Sequence, residues 1–318
     1  MQRKKIELRD WETETSRNTT PLVSVCCLTY NHAPYIRQCL DGFMIQKADF
    51  LIEVLIHDDA STDGTADIIR EYEAKYPDSI KPIYQVENQY SKKIRSISGR
   101  FNFPRAQGKY IALCEGDDYW TDPYKLQRQV DFLETHEEVA LSAENGWVKN
   151  SVINKEHLFN EEKNERLYSA YEMLQTRRFP TASVVFPAKY LEDILKLKFT
   201  ADTILWVLLS TKGRVHYNPV VSSVYNRGMH GLVQSTDRIK WAKMGRNWDN
   251  QMIEIIKNSS LKDDFDYNIF RERRYNEFWD AYISYQWSKC PVKKFLCMLE
   301  CLKVKPKKIL GILFKKIR

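Results

Sequence analysis

The run IALCEGDDYWTDPY, residues 111–124, passes from an apolar stretch into three carboxylates, Glu115, Asp117 and Asp118, set around Gly116, and then restarts as a helix-like segment. An unbroken apolar run of this length fits a strand covered on both faces, the kind found inside parallel sheets. Carboxylates this close repel one another unless water, a cation or a proton relieves them. Oxygen ligands of this type suit hard cations such as Mg2+ or Mn2+. Paired carboxylates also serve general acid–base chemistry, as in glycoside hydrolysis, and Gly-Asp-Asp is ordinary turn composition as well. On this stretch alone the three readings stay open.

Upstream, the same kind of strand occurs twice more. LVSVCCLTYN (22–31) is followed by APYIRQCLDGFMIQ (33–46), whose Ile36, Leu40, Phe43 and Met44 share one helical face. IEVLIHDD (52–59) is followed by STDGTADIIREYEAKYPD (61–78), a helix whose start is offered capping oxygens by Ser61, Thr62 and Asp63. KPIYQVEN (81–88) reads as a short third strand and GKYIALCEGDD (108–118) as a fourth. DPYKLQRQVDFLETHEE (122–138) is another amphipathic helix, with Asp122 as cap and Pro123 as first residue. Strand and helix in alternation predict an α/β fold: a mostly parallel sheet, right-handed crossovers and flanking helices. Ligands of such sheets bind at the carboxyl ends of the strands. Thr29-Tyr30-Asn31, Asp58-Asp59 and Glu115/Asp117/Asp118 therefore fall on one rim.

Beyond residue 140 the pattern is mixed. FPTASVVFP (179–187) is strand-like, DTILWVLLSTKG (202–213) reads as a helix closed by Gly213, and RVHYNPVVSSVYN (214–226) as a pair of short strands. After Asp237 the chain is helical and rich in aromatics. The expected organisation is an N-terminal extension (1–20), a principal domain (21–236), a helical annex packed on it (237–289) and a basic amphipathic tail (290–318).

A chain of 318 residues with 43% apolar content can build a substantial core. Seven cysteines, odd in number, several inside apolar runs and none in a CxxC pair, predict reduced buried thiols in a cytoplasmic protein. MQRKKIELRDWETE carries no apolar stretch of the secretory kind, so no secretory signal is expected. The net charge of +7 is concentrated: Ser288–Arg318 holds ten Lys/Arg and one Glu, leaving the rest slightly acidic. A nucleic-acid partner is not expected, because a binder would carry its basic stripe across the folded domain. Val292, Phe295, Leu296, Leu299 and Leu302 recur at helical spacing among these lysines, which predicts docking on an anionic membrane surface.

The order of the pieces resembles glycosyltransferase family 2, whose members have the GT-A fold. LVSVCCLTYNHAPYIRQCLDGFMIQ resembles that family's opening strand and helix. EVLIHDDASTDGTADII resembles its second-strand signature, with Ala60 where Gly is usual. AQGKYIALCEGDDYW resembles the strand carrying its DxD motif, with Glu115-Gly116-Asp117 in those positions. FTADTILWVLLSTKG resembles a later signature in which an Asp leads a helix containing Leu-Trp, matched by Asp202, Leu205 and Trp206. SSVYNRGMHGLVQS resembles a segment in which Tyr-Arg precedes a His and a Gly-rich turn, with Asn226 where Arg is usual and the His displaced. The likeness covers about residues 20 to 235.

The resemblance implies an inverting transfer from a nucleotide-diphosphate sugar to a hydroxyl of a saccharide or lipid-linked acceptor, in bacterial surface polysaccharide or lipopolysaccharide assembly. It places Leu28, Tyr30 and Asn31 around the nucleotide and gives Asp59 a hydrogen bond from the base. Glu115 falls near the ribose or the metal's water shell. Asp117, with Asp118, becomes the ligand of Mn2+ or Mg2+. His230 would complete the metal site, Arg227 would contact the diphosphate, and Asp202 would be the base. Asp202 also has a plainer reading as a helix cap. Arg100 and Arg105 are phosphate candidates on charge alone. FPTASVVFP resembles the strand on the acceptor side, where Thr181 and Ser183 would face a sugar. The expected location is peripheral, on the inner face of the cytoplasmic membrane. A metal-dependent nucleotide-sugar hydrolase and a membrane-docked, non-catalytic nucleotide-sugar binder remain the alternatives.

Overall fold

The computed structural model describes residues 20–315 apart from 95, 152, 228–236 and 287–288, with side chains as far as Leu310. Strands β1 (Val23–Thr29), β2 (Ile52–Asp58), β3 (Ile80–Tyr84) and β4 (Tyr110–Glu115) alternate with helices α1 (Ile36–Met44), α2 (Thr65–Lys75) and the short α3 (Ile97–Phe101). There follow β5 (Tyr119–Trp120), α4 (Lys125–Thr135), β6 (Val139–Asn150), β7 (Lys155–Leu158), β8 (Arg166–Tyr168), α5 (Ala170–Gln175) and β9 (Val185–Pro187). Helices α6 (Leu191–Leu195) and α7 (Asp202–Ser210) lead to β10 (Arg214–Arg227). Four helices close the chain: α8 (Arg238–Lys257), α9 (Asn268–Ser284), α10 (Pro291–Val304) and α11 (Pro306–Lys315).

The strands form one ten-stranded sheet in the order β3-β2-β1-β4-β9-β6-β10-β5, with β7 paired to β6 and β8 to β10. The half containing β3, β2, β1 and β4 is parallel, as the alternation predicts. β9 runs antiparallel to β4 and β6 and makes the sheet mixed. Apolar residues on both faces of β1 explain its burial: Val25 and Cys27 meet Ile36, Leu40, Phe43 and Leu126 of α1 and α4, while Cys26 faces the opposite core with Leu205 and Trp206. Truncating a side chain such as Leu40 to Ala in a core of this kind costs about 2–5 kcal/mol. Helix α7 is buried from Ile204 to Ser210 because the sheet covers one side and Met252 and Ile256 of α8 the other.

Several local expectations are corrected. Residues 214–226 are one long strand, not two, with register shifts around Pro219 where the ladder loses a donor. Helix α4 begins at Lys125, two residues after Pro123; Asp122 instead accepts from Tyr124 N at 2.8 Å and pairs with Arg128. In FPTASVVFP a turn of 3-10 helix, Thr181–Ser183, precedes the short β9. All seven cysteines are free thiols, and all but Cys290 are buried. Among the described residues no helix is long and apolar enough to cross a membrane.

Candidate active site

The register brings the three polar groups to one rim. Leu28 of β1 lies opposite Glu115 of β4, and Thr29 opposite Asp58 of β2. The Asp58 and Glu115 strand ends are thus two strand spacings apart, about 10 Å.

The loop after β2 and the loop after β1 are laced together. Ser61 Oγ accepts from Asn31 N at 2.8 Å and donates to Asp58. Asn31 Oδ1 accepts from Thr62 N at 2.8 Å, Thr65 Oγ1 from His32 N at 2.8 Å, and Asp63 Oδ2 from Ala33 N at 3.0 Å. The Ser61–Asp63 group therefore serves mainly as this lacing. At the helix start Asp63 accepts from Thr65 N, while the cap position is Gly64, with no side-chain cap. Asn31 and Ala60 both sit at positive φ, 54° and 63°. Left-handed backbone is costly for a residue with a Cβ, so the place where Ala stands for Gly is a strained corner.

Asp59, 5% exposed, accepts from Gln89 N at 2.7 Å and Tyr90 N at 3.1 Å, which pins the loop after β3 against the rim. Each of its oxygens keeps a second acceptor position. Tyr30 is half exposed and follows Thr29, whose carbonyl accepts the Asp59 N–H at 3.0 Å, and Leu28 receives the Gly116 N–H on its carbonyl at 2.8 Å.

The acidic turn follows β4. Carboxylate oxygens of Glu115, Asp117 and Asp118 lie within 4.8 Å of one another. Gly116 is required: a Cβ there would meet Thr29 Oγ1 at 2.8 Å and His32 Nδ1 at 3.1 Å. Asp117 Oδ1 and Asp118 Oδ2 are buried without hydrogen-bond partners among the described residues. His32 Nε2 stands 3.9 Å from Asp117 Oδ2. From the far side of the cleft, Asn226 of β10 donates its backbone N–H to Asp118 Oδ1 at 2.9 Å and its amide to the Asp117 carbonyl at 2.6 Å. Burial, followed by the charges of Asp117 and Glu115, holds the Asp118 acid well above the usual carboxylate range. Glu115 opens to solvent at the cleft mouth, yet restricted hydration and the charges of Asp117 and Asp202 raise it too, with Arg177 opposing. Two orphaned buried carboxylate oxygens in an oxygen-only cluster fit a hard divalent cation.

Asp202 is the first residue of α7 and caps nothing with its side chain. Its Oδ2 accepts from Thr181 Oγ1 at 2.5 Å and from Arg177 Nη2 at 3.3 Å. Its charge helps raise both Glu115 and Asp118, and a chain of contacts joins it to the acidic turn: Arg177 reaches the Tyr225 ring, and the neighbouring Asn226 holds Asp118. Arg177 lies over the rings of Phe159 and Tyr225, at 5.5 and 5.9 Å. Sequence reasoning missed Arg177 and His32, because neither belongs to an acidic run and each reaches the cleft only through tertiary contacts.

Other candidates fall elsewhere. Arg105 donates to the carbonyls of Lys81 and Ile56 and to Asn102, and so braces the sheet instead of reaching the rim. Ser183 is buried and donates to the Pro180 carbonyl. Arg100 is an exposed residue of α3. Arg227 ends β10, next to Asn226. His230 lies outside the described residues, as do the others from 228 to 236.

The structure of residues 1–349 of TarS from S. aureus, solved in complex with UDP, superposes with a TM-score of 0.65 over 90% of this chain and 82% of that one, at 16% identity. The architecture is GT-A-like: a mixed, curled sheet flanked by helices, with a helical C-terminal region. Residues 24–195 match the model of glycosyl transferase family 2, and the chain belongs to that family. An uncharacterized protein of Mycobacterium tuberculosis is 37% identical over 231 residues, 70% of this chain and 64% of the relative. The chain thus spans under two thirds of that relative's length. The Escherichia coli UDP-Glc:alpha-D-GlcNAc-diphosphoundecaprenol beta-1,3-glucosyltransferase WfaP is 34% identical over 134 residues, 42% of this chain and 49% of WfaP.

Proposed function

We propose that this chain transfers a sugar, with inversion, from a nucleotide-diphosphate sugar to a hydroxyl of a saccharide or lipid-linked acceptor in bacterial surface polysaccharide assembly. The observation that carries the reading is the chain of contacts from Asp202 through Arg177, Tyr225 and Asn226 to the Asp117/Asp118 turn. The name of WfaP, with its nucleotide sugar and its diphosphoundecaprenol-linked acceptor, supports the substrate class.

In this reading Asp202 takes the proton of the acceptor hydroxyl as its oxygen bonds to the anomeric carbon. The bond from that carbon to the phosphate oxygen breaks, and the nucleoside diphosphate leaves. Thr181 and Arg177 hold the Asp202 carboxylate in place. Asp117 and Asp118, with Glu115 beside them, would hold Mn2+ or Mg2+. Such an ion would supply positive charge to the departing diphosphate. Leu28 and Tyr30 would wall the base, Asp59 would accept a hydrogen bond from it, Asn31 would shape the loop around it, and Arg227 would contact the diphosphate. A peripheral site on the cytoplasmic membrane suits a lipid-linked acceptor.

The test follows thermal unfolding with UDP or GDP, with and without Mn2+. A ligand at 100 times its Kd stabilises by about 2.7 kcal/mol, so the combination should raise the midpoint by several degrees. No shift with either nucleotide would remove the donor-site assignment. A panel of nucleotide sugars, with and without saccharide acceptors, then separates transfer from hydrolysis.

A further inference from the structure

Helix α10 wears its larger apolar residues outward. Its sheltered side carries Cys297, Cys301 and Val304, packed with Tyr275 and Phe278 of α9. Its open side carries Val292, Phe295, Leu296 and Leu299, spaced i, i+3, i+4 and i+7, and exposed by 70%, 47%, 40% and 36%. Leu310 of α11 is exposed as well, by 44%. Single exposed leucines are ordinary, but a contiguous apolar stripe marks an interaction surface.

The charges around it identify the partner. Residues 289–310 hold seven lysines and one glutamate. Lys307 and Lys308 are exposed, Lys293 pairs with Asp237, Lys305 pairs with Glu272, and Glu300 is neutralised by Arg246 and Lys303. An apolar stripe with a cationic border matches a bilayer surface: the stripe enters the acyl boundary and the lysines meet anionic phosphate headgroups. A protein groove would ask for carboxylates opposite the lysines and a fixed shape opposite the stripe; a fluid anionic surface asks for neither.

We propose that the Val292–Leu299 face of α10, with Leu310 and the surrounding lysines, docks the chain on an anionic phospholipid bilayer. The inference deepens the reading of a membrane-held acceptor by naming the surface. Vesicle binding is read without turnover, so the two can fail separately.

The test is flotation of the full chain with vesicles of phosphatidylcholine alone or mixed with phosphatidylglycerol. Binding to the mixed vesicles should exceed binding to the neutral ones by about tenfold or more and weaken with added salt. Phe295→Ser with Leu299→Ser should lower binding to the mixed vesicles by about tenfold. Lys307→Glu with Lys308→Glu should also lower it, leaving the weak neutral binding unchanged. Because all four side chains are exposed, the variants should keep the wild-type melting temperature, which checks that they fold. Absence of wild-type binding to mixed vesicles, or binding unaffected by the apolar pair, would overturn the proposal. So would light scattering that finds a dimer dissolved by the apolar pair, since a second copy would then cover the face.

Discussion

Arg177 and Asp202 form an ion pair, Nη2 to Oδ2 at 3.3 Å, at the first turn of α7. With Thr181 on the same oxygen, the carboxylate is held by two donors from the segment before β9. A side chain fixed in this way is oriented as a general base must be. Replacing Asp202 by Asn keeps the shape and removes the proton acceptor. Transfer should fall by about 10²–10⁴-fold while nucleotide binding, followed by calorimetry, changes little. Unaltered turnover would take Asp202 out of the mechanism.

Asp118 is 1% exposed, and one of its oxygens has no partner among the described residues. Burial and its acidic neighbours oppose ionisation of Asp118, and Asp118→Asn keeps that side chain neutral at every pH. Without metal the variant should match wild type in acid and melt higher than it in alkali, by about 1 kcal/mol or more. It should also lose most of the rise that Mn2+ gives the wild type. A variant that is destabilised without metal, or stabilised by Mn2+ as fully as wild type, would show that the turn is not a cation site.

The parallel half of the sheet was legible because its signals are local. Unbroken apolar runs such as Val23–Thr29 and Tyr110–Glu115 end in polar residues and are followed by amphipathic helices. The acidic turn was legible for the same reason, since its three carboxylates are neighbours in sequence. The long β10 was not, because Pro219 looks like a break, and only pairing with β6 across a shifted register carries the strand through. Arg177 and His32 were not legible either. What places them is the path of the chain between β8 and β9 and the close approach of Gly116 to the β1 loop. The role expected of Ser61–Asp63 was half read: the oxygens do accept backbone N–H groups, but chiefly those of the neighbouring loop, a choice set by tertiary contact.

Ala60 has φ 63°, a backbone that glycine adopts freely and alanine does not. Ala60→Gly relieves roughly 1–2 kcal/mol of steric strain. It gives back about 0.4–1 kcal/mol through the freer unfolded chain. The melting temperature should therefore rise slightly, with nucleotide binding intact because the lacing of Ser61 and Asn31 uses neither side chain nor N–H of residue 60. A fall in stability would mean that the Ala60 methyl group makes contacts worth more than the strain.

Glu277 of α9 faces Gly245 of α8 so closely that a Cβ on the glycine would lie 2.3 Å from Oε2. That oxygen is buried without a hydrogen bond among the described residues, and Asp249, fully buried, stands nearby with Arg273. Burial, then the Asp249 charge, pushes the Glu277 acid from its ordinary 4.5 up to about 7, against the pull of Arg273 and Arg274. Burial raises Asp249 as well. The folded state therefore holds the Glu277 proton more tightly than the unfolded chain does. The resulting stabilisation is complete below about pH 4.5 and is lost as the pH rises through about 7. Glu277→Gln fixes the neutral form. It should melt above wild type at pH 8, by an amount of order 1–2 kcal/mol, and the gap should close at pH 5, where the wild-type group is already protonated. Melting curves across that range decide the matter: a gap independent of pH would mean that Glu277 is ionised throughout and that the α8–α9 contact is held by Arg273 and Arg274 instead.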